Sequence, residues 1–304
     1  MIRHLSHTEI DKQRWDRCID RSVNRMPYAY AWWLDAACPE WEALVQDDYS
    51  AVMPLTRNRK LGISYLFQPF FTQQLGVFSP LNQSLIDISL FLNAIPSSFR
   101  YIDIQLNSGN IPTAPQFNYT SRRNCILDLS PSYDQLAGSY HRNCRRNIRK
   151  AIHAGLRVKP GPGPSVFTYF IRRHLEHKLT NTRRNFYRVL QLVTNSSIQK
   201  GTGEILGVYD RGDDLVAAGW FVQAAGRYTF LVCTSTPAGK KNHAMFFLVN
   251  HAIREKAGTG LIFDFAGSKL PGITYFNKGF GAIENYYPSV KRNLLPWPLN
   301  IIKR

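Results

Sequence analysis

Residues 140–154 of this 304-residue chain read YHRNCRRNIRKAIHA, and no other stretch is as suggestive chemically. Wound as a helix, the segment puts Tyr140, Cys144, Ile148, Ala151 and Ile152 on one side and Arg142, Arg145, Arg146, Arg149 and Lys150 on the other. No acidic residue interrupts the cationic side. A solvated surface helix ordinarily mixes signs to gain i,i+4 pairs. An unbroken row of guanidinium groups instead suits phosphate oxygens, which they bind in bidentate fashion. Solvated face and phosphate site are both open readings. Gly155 stands where a C-cap glycine belongs.

Two further segments carry candidate chemistry. Thr236-Pro-Ala-Gly239-Lys240-Lys241-Asn242-His-Ala joins a predicted strand to a predicted helix over 240–256. A helix N-terminus presents unpaired N–H groups and partial positive charge, so a pyrophosphate suits it. Gly239 would let a phosphate approach the backbone, Lys240 and Lys241 would add charge, and Asn242 completes the candidate cofactor-binding set. The plain alternative is a connecting loop with exposed lysines. Asp264 alternates with Phe263 and Phe265 on a predicted strand. It either faces a cleft, where it could serve as a general base, or caps the next helix as a structural acceptor.

Other chemistries lack their motifs. No G-x-S-x-G, P-loop or Rossmann fingerprint occurs. His174 and His177 could share a helix face but have no third ligand, so no metal is expected. The five cysteines, Cys18, Cys38, Cys125, Cys144 and Cys233, form no CxxC pair and read as reduced thiols.

Charge is segregated along the chain. Residues 1–130 hold 12 Lys/Arg and 12 Asp/Glu, while residues 131–304 hold 26 and 9, which is the whole net charge of +17. A neutral half and a basic half suggest two units, one meeting a polyanion or a phosphate-bearing small molecule. Hydrophobic content of 44% suffices for packed cores. No apolar run is long enough to span a membrane, and no signal-peptide pattern opens the chain, so a cytoplasmic protein is expected.

Periodicity predicts helices over 8–21, capped by Thr8, and over 28–37, then strands over 41–46, 49–56 and 63–68, a helix over 84–94 and a strand over 100–106. After a linker at Ser130-Pro131-Ser132 and the basic helix come helices over 166–179 and 181–194. Strands follow over 204–209, 215–223 and 227–234, then the helix over 240–256 and a strand over 260–265. Both halves thus run strand, strand, strand, helix, strand, which suggests an α+β duplication.

At the basic helix the chain resembles a family. Residues 140–151, followed by Gly155-Leu156-Arg157-Val158, are similar to the start of the second domain of Fem-type peptidyltransferases and related tandem GNAT acyltransferases. Phe263-Asp264-Phe265-Ala266-Gly267-Ser268, then Phe276-Asn277-Lys278-Gly279-Phe280, resembles their D-F-x-G-S and F-x-K-x-F elements. The likeness covers about residues 130–290; the first half matches by element order. It implies two GNAT-like domains in tandem, each a mixed, mostly antiparallel sheet flanked by helices. Residues 1–130 would form one, with 285–304 expected to pack back on it, and 131–284 the other.

The resemblance also implies acyl or aminoacyl transfer to an amine. Lys278 matches the functional lysine of F-x-K-x-F, where an ammonium would steady a developing oxyanion; otherwise it sits against the C-terminal end of its own helix. The GNAT pyrophosphate signature Q/R-x-x-G-x-G/A is incomplete here, and the helical arm of some Fem proteins is missing. Three functions are therefore weighed. The first is an N-acyltransferase using acyl-CoA, whose pyrophosphate the 236–244 loop would hold. The second is a Fem-type enzyme taking its group from aminoacyl-tRNA for a cell-wall precursor. The third is a non-catalytic nucleic-acid binding protein, for which no recognition module is found.

Overall fold

The computed structural model describes residues 1–81, 86–175, 185–267 and 270–302. The chain divides into two compact units, residues 1–122 with 286–304, and residues 123–285.

The first unit opens with β1 (Ile2–Leu5) and α1 (Lys12–Arg21). The helix starts later than the apolar stripe suggests. Asp11, not Thr8, is its N-cap, accepting the Gln13 and Arg14 N–H groups at 3.0 Å each, while His7–Glu9 form a separate 3-10 turn. A carboxylate can serve two amide donors at once, which gives Asp11 the advantage. The predicted helix over 28–37 likewise divides, into a 3-10 turn at Pro27–Ala29 and α2 (Ala31–Ala37). Then come β2 (Glu42–Gln46), β3 (Ala51–Leu55), β4 (Arg57–Lys60), β5 (Ile63–Phe67), α3 (Ile88–Asn93) and β6 (Phe99–Gln105). β1-β2-β3 form one antiparallel sheet. Trp15, Trp33 and Trp41 are fully buried, and each indole N–H donates: to Ala29 O, Thr72 Oγ1 and Asp35 Oδ1.

The chain passes to the second unit along β7 (Asn118–Asp128), a strand the periodicity does not announce. α4 (Tyr133–Gly138) follows with a Ser132/Gln135 capping box, then α5 (Arg142–His153), β8 (Arg157–Pro160), α6 (Pro164–Leu175) and α7 (Phe186–Gln199). The ends of the helices predicted over 166–179 and 181–194, with His177, Arg183 and Arg184, lie outside the described residues. β9 (Gly203–Tyr209), β10 (Leu215–Ala224) and β11 (Arg227–Ser235) make an antiparallel meander. After α8 (Pro237–Lys241) and α9 (Ala244–Lys256), β12 (Ile262–Asp264) returns parallel to β11, the crossover that a parallel pair requires. α10 (Pro271–Lys278) completes this unit, and β13 (Ile283–Asn293) and α11 (Leu299–Ile302) lead back to the first, where β13 pairs with β6.

Within the second unit the strands run β7-β12-β11-β10-β9-β8, and only β12-β11 is parallel. One apolar cluster joins Cys144, Ile148 and Ala151 of α5 to Leu248, Val249, Ala252 and Ile253 of α9 and to Phe221, Tyr228 and Phe263 of the sheet. α5 ends in a Schellman motif: the Gly155 N–H donates to Ile152 O and the Leu156 N–H to Ala151 O, with Gly155 at φ +76°.

The cap assignment can be checked by thermal unfolding. Asp11→Ala should cost about 1 kcal/mol, the usual N-cap penalty, while Thr8→Ala should leave stability within error.

Candidate active site

β11 and β12 pair only at Arg227, Tyr228 and Thr229. Beyond them β11 runs on to Ser235 against β10 alone, because the chain after β12 turns away. The Phe265 N–H donates to Cys125 O on β7, and Ala266 and Gly267 follow at φ +53° and +64°. The far edge of β11 from Phe230 onward is thus left without a ladder partner among the described residues. Its register with β10 also slips between Trp220 and Phe221, passing from Val232 to Phe230, so Leu231 is bulged out of the pairing.

The two parting strands open a cavity of about 450 Å3, walled by Phe230, Leu231, Cys233 and Ser235 of β11, the α8–α9 junction, Phe265 and Gly267 after β12, and one face of α10. It lies at the carboxyl ends of a parallel pair and at the start of their crossover helix, where ligands of open α/β sheets usually bind. Apolar side chains dominate the wall, and among the described residues none that lines it is acidic.

The candidate cofactor loop is arranged differently from the sequence expectation. The helix predicted over 240–256 is broken: α8 is short, Asn242 caps it, and His243, at φ +58°, starts α9 afresh. The first-turn N–H groups facing this end are therefore those of Ala244 and Met245, which have no acceptor within their own helix. Gly239 is required for another reason than phosphate approach. A Cβ there would lie 2.2 Å from Val216 O, so its lack of a side chain lets α8 lie on β10. Its N–H is taken by Thr236 Oγ1 at 3.0 Å. Gly239 and Lys240 line the cavity; Lys241 and Asn242 are not among the lining residues.

His243 lines the cavity too and was not singled out from the sequence. The only signal available was its residue type, since histidine tolerates positive φ better than most. Burial holds its pKa below the ordinary value, and the positive charges of Lys150 and Arg146 act in the same direction. Those cations reach it because α5 packs on α9.

All five cations of α5 are exposed, and among the described residues none pairs with a carboxylate. Arg145 donates to Gly138 O and Arg146 to Asn143 Oδ1. The buried side of α5 is shifted from the one the helical pattern predicts. Ile152 is 55% exposed, while Asn147 is buried with Cys144, Ile148 and Ala151.

Asp264 is fully buried. Its Oδ2 receives Arg227 at 3.0 Å, and its Oδ1 receives Asn124 Nδ2 at 2.8 Å and the Ala266 N–H at 2.9 Å. Occupied on both oxygens, it has the geometry of a structural acceptor that fixes the turn beside the cavity. Lys278 stands apart from the cavity wall, with its ammonium 3.2 Å from Glu284, which Arg123 also approaches at 3.4 Å. Burial pushes the thiols of Cys38, Cys144 and Cys233 up to about 12, so none of these supplies a thiolate near neutrality. Among the described residues no cluster of three or more His, Cys, Asp or Glu could hold a metal ion, and no helix is long and apolar enough to cross a membrane.

Residues 138–275 match the family model described as an acetyltransferase (GNAT) domain. This segment, from the end of α4 into α10, thus resembles a GNAT acetyltransferase domain. The full chain is similar in fold to FemX (TM-score 0.69, 13% identity, covering 96% of this chain and 98% of that one). It is also similar to L-PGS from Bacillus licheniformis (0.53, 11%, 96% and 95%). A third likeness is to the C-terminal domain of a putative lysylphosphatidylglycerol synthetase from Agrobacterium fabrum (0.54, 11%, 96% and 94%). Such whole-chain likeness agrees with tandem GNAT-like domains in an α+β fold; at these identities it establishes the fold alone. No curated protein matches the sequence.

The depressed His243 pKa has two readouts. Its imidazole should titrate below about 6.5 in an NMR pH series, and Arg146→Gln with Lys150→Gln should raise the midpoint. Because the unfolded chain binds the proton more readily, this residue's contribution to stability is lost as pH falls through about 6.5 toward the folded midpoint. A midpoint unmoved in the double variant would leave burial as the sole cause.

Proposed function

We propose that this GNAT acyltransferase moves an acyl group from an acyl-CoA thioester to an amine. The observation that carries the reading is the parting of β11 from β12, which sets a free strand edge, an apolar cavity and a cationic helix start side by side. The free edge can pair with the amide-bearing arm of CoA, as an added strand pairs with a sheet edge. The head of α9 with Lys240, and with Arg146 and Lys150 nearby, suits the pyrophosphate. The amine nitrogen attacks the thioester carbon, the C–S bond breaks, and the thiolate leaves and takes up the amine's proton. The bulge at Leu231 frees backbone groups from the ladder beside the cavity, where an N–H can support the carbonyl oxygen as it gains charge.

Aminoacyl-tRNA as donor is the second reading, and the unpaired cations of α5 favour it. Against it, among the described residues the cavity wall holds no carboxylate to receive an aminoacyl ammonium. Calorimetry with CoA decides. Saturable micromolar binding, weakened at least tenfold in Lys240→Glu, is expected. Absence of CoA binding, together with tRNA affinity that falls steeply with salt, would replace the first reading with the second.

Lys278 is proposed, from its match to F-x-K-x-F, to act on the reacting carbonyl. Lys278→Ala should then lower kcat with little change in donor affinity. Unchanged turnover would confine the lysine to its pair with Glu284.

A further inference from the structure

The acyl-CoA reading, on which this step rests, leaves the acyl group open, and the cavity wall bears on it. We propose that the group transferred is a hydrocarbon chain of about eight carbons or more, lying against Phe230, Phe246, Phe265, Ile273 and Phe276.

The wall is divided by polarity. Its cationic and titratable side chains, Lys240 and His243, belong to α8 and the residue before α9. Its aromatic side chains come from β11, the first turn of α9, the residue after β12, and α10. The lining rings are tied together through Phe280 and Phe263, which lie buried behind the wall. Phe246 and Phe276 centroids are 4.7 Å apart, Phe276 and Phe280 5.2 Å, and Phe265 and Phe280 6.3 Å. Phe263 links Phe265 at 4.7 Å to Phe230 at 6.5 Å.

Three occupants can be compared against that surface. With the CoA arm along β11 and its pyrophosphate at Lys240, an acetyl group would cover little of the remaining apolar wall of Phe246, Phe265, Ile273 and Phe276. An aminoacyl group would bring an ammonium with no acidic residue among the described ones on the wall to meet it. A hydrocarbon chain needs neither water nor charge, and each methylene it buries strengthens binding about three- to fourfold.

The test is a titration of the full-length protein with CoA, acetyl-CoA and octanoyl-CoA below micelle-forming concentrations. Octanoyl-CoA should bind at least tenfold more tightly than acetyl-CoA. Ile273→Asp should abolish that difference while CoA itself still binds. The side chain is 44% exposed, so the fold should tolerate the change, and circular dichroism would verify it. Equal affinity for acetyl- and octanoyl-CoA overturns the inference and leaves the acyl-CoA reading standing. Failure of all three to bind overturns both.

Discussion

The short parallel pairing of β11 with β12 is the constraint on which the second unit depends. Three matched residues hold the strands together, and then they separate. Where they part stands the buried carboxylate of Asp264. It gathers Arg227 from β11, Asn124 from β7 and the Ala266 N–H from its own turn. A buried ion pair adds little net stability by itself, but one left half-made is costly. The arrangement anchors the end of β12 to both neighbouring strands, and the Phe265 N–H then pairs with Cys125 O of β7, leaving the edge of β11 beyond Thr229 without β12.

Hydrophobic packing then decides where charge is presented. α5 buries Cys144, Ile148 and Ala151 against α9, and that seating leaves its cations exposed on the opposite side. It also brings Arg146 and Lys150 within electrostatic reach of His243 at the head of α9. Positive potential thus gathers at the mouth of an otherwise apolar cavity without any of these cations being neutralised by a described carboxylate. The energy for this unfavourable collection of like charges comes from the apolar contacts behind it.

Much of the local structure was legible in the residues. The two-sided pattern of α5, the glycine at its end and the meander around Asp210-Arg211-Gly212-Asp213-Asp214 each express a short-range rule. The strands β7 and β13 were not. β7 carries six polar residues before its apolar end, and β13 has Pro288 within it. Their partners lie far along the chain, Ile262 opposite Asp128 and Ile104 opposite Val290. The first strand, β1, and β4 escaped notice for a related reason: they are short and largely polar on their exposed side.

The candidate site divides in the same way. The sequence alone determined the charge surplus of the second half, the cationic face of α5 and the neighbourhood of residues 236–244 as a strand-to-helix junction. Tertiary structure decided that the junction breaks at His243, that Gly239 serves packing against Val216, and that Asp264 is a buried anchor. It also set Lys278 away from the cavity and brought four phenylalanines from separate elements around it. The physical reason is the range of the forces involved. Helix periodicity and capping are settled within a few residues, so they are written locally. A strand's partner and a carboxylate's donor can lie more than a hundred residues away, as Asp128 does from Ile262 and Asn124 from Asp264, and a cavity's walls come from several separate elements, so only the folded chain brings them together.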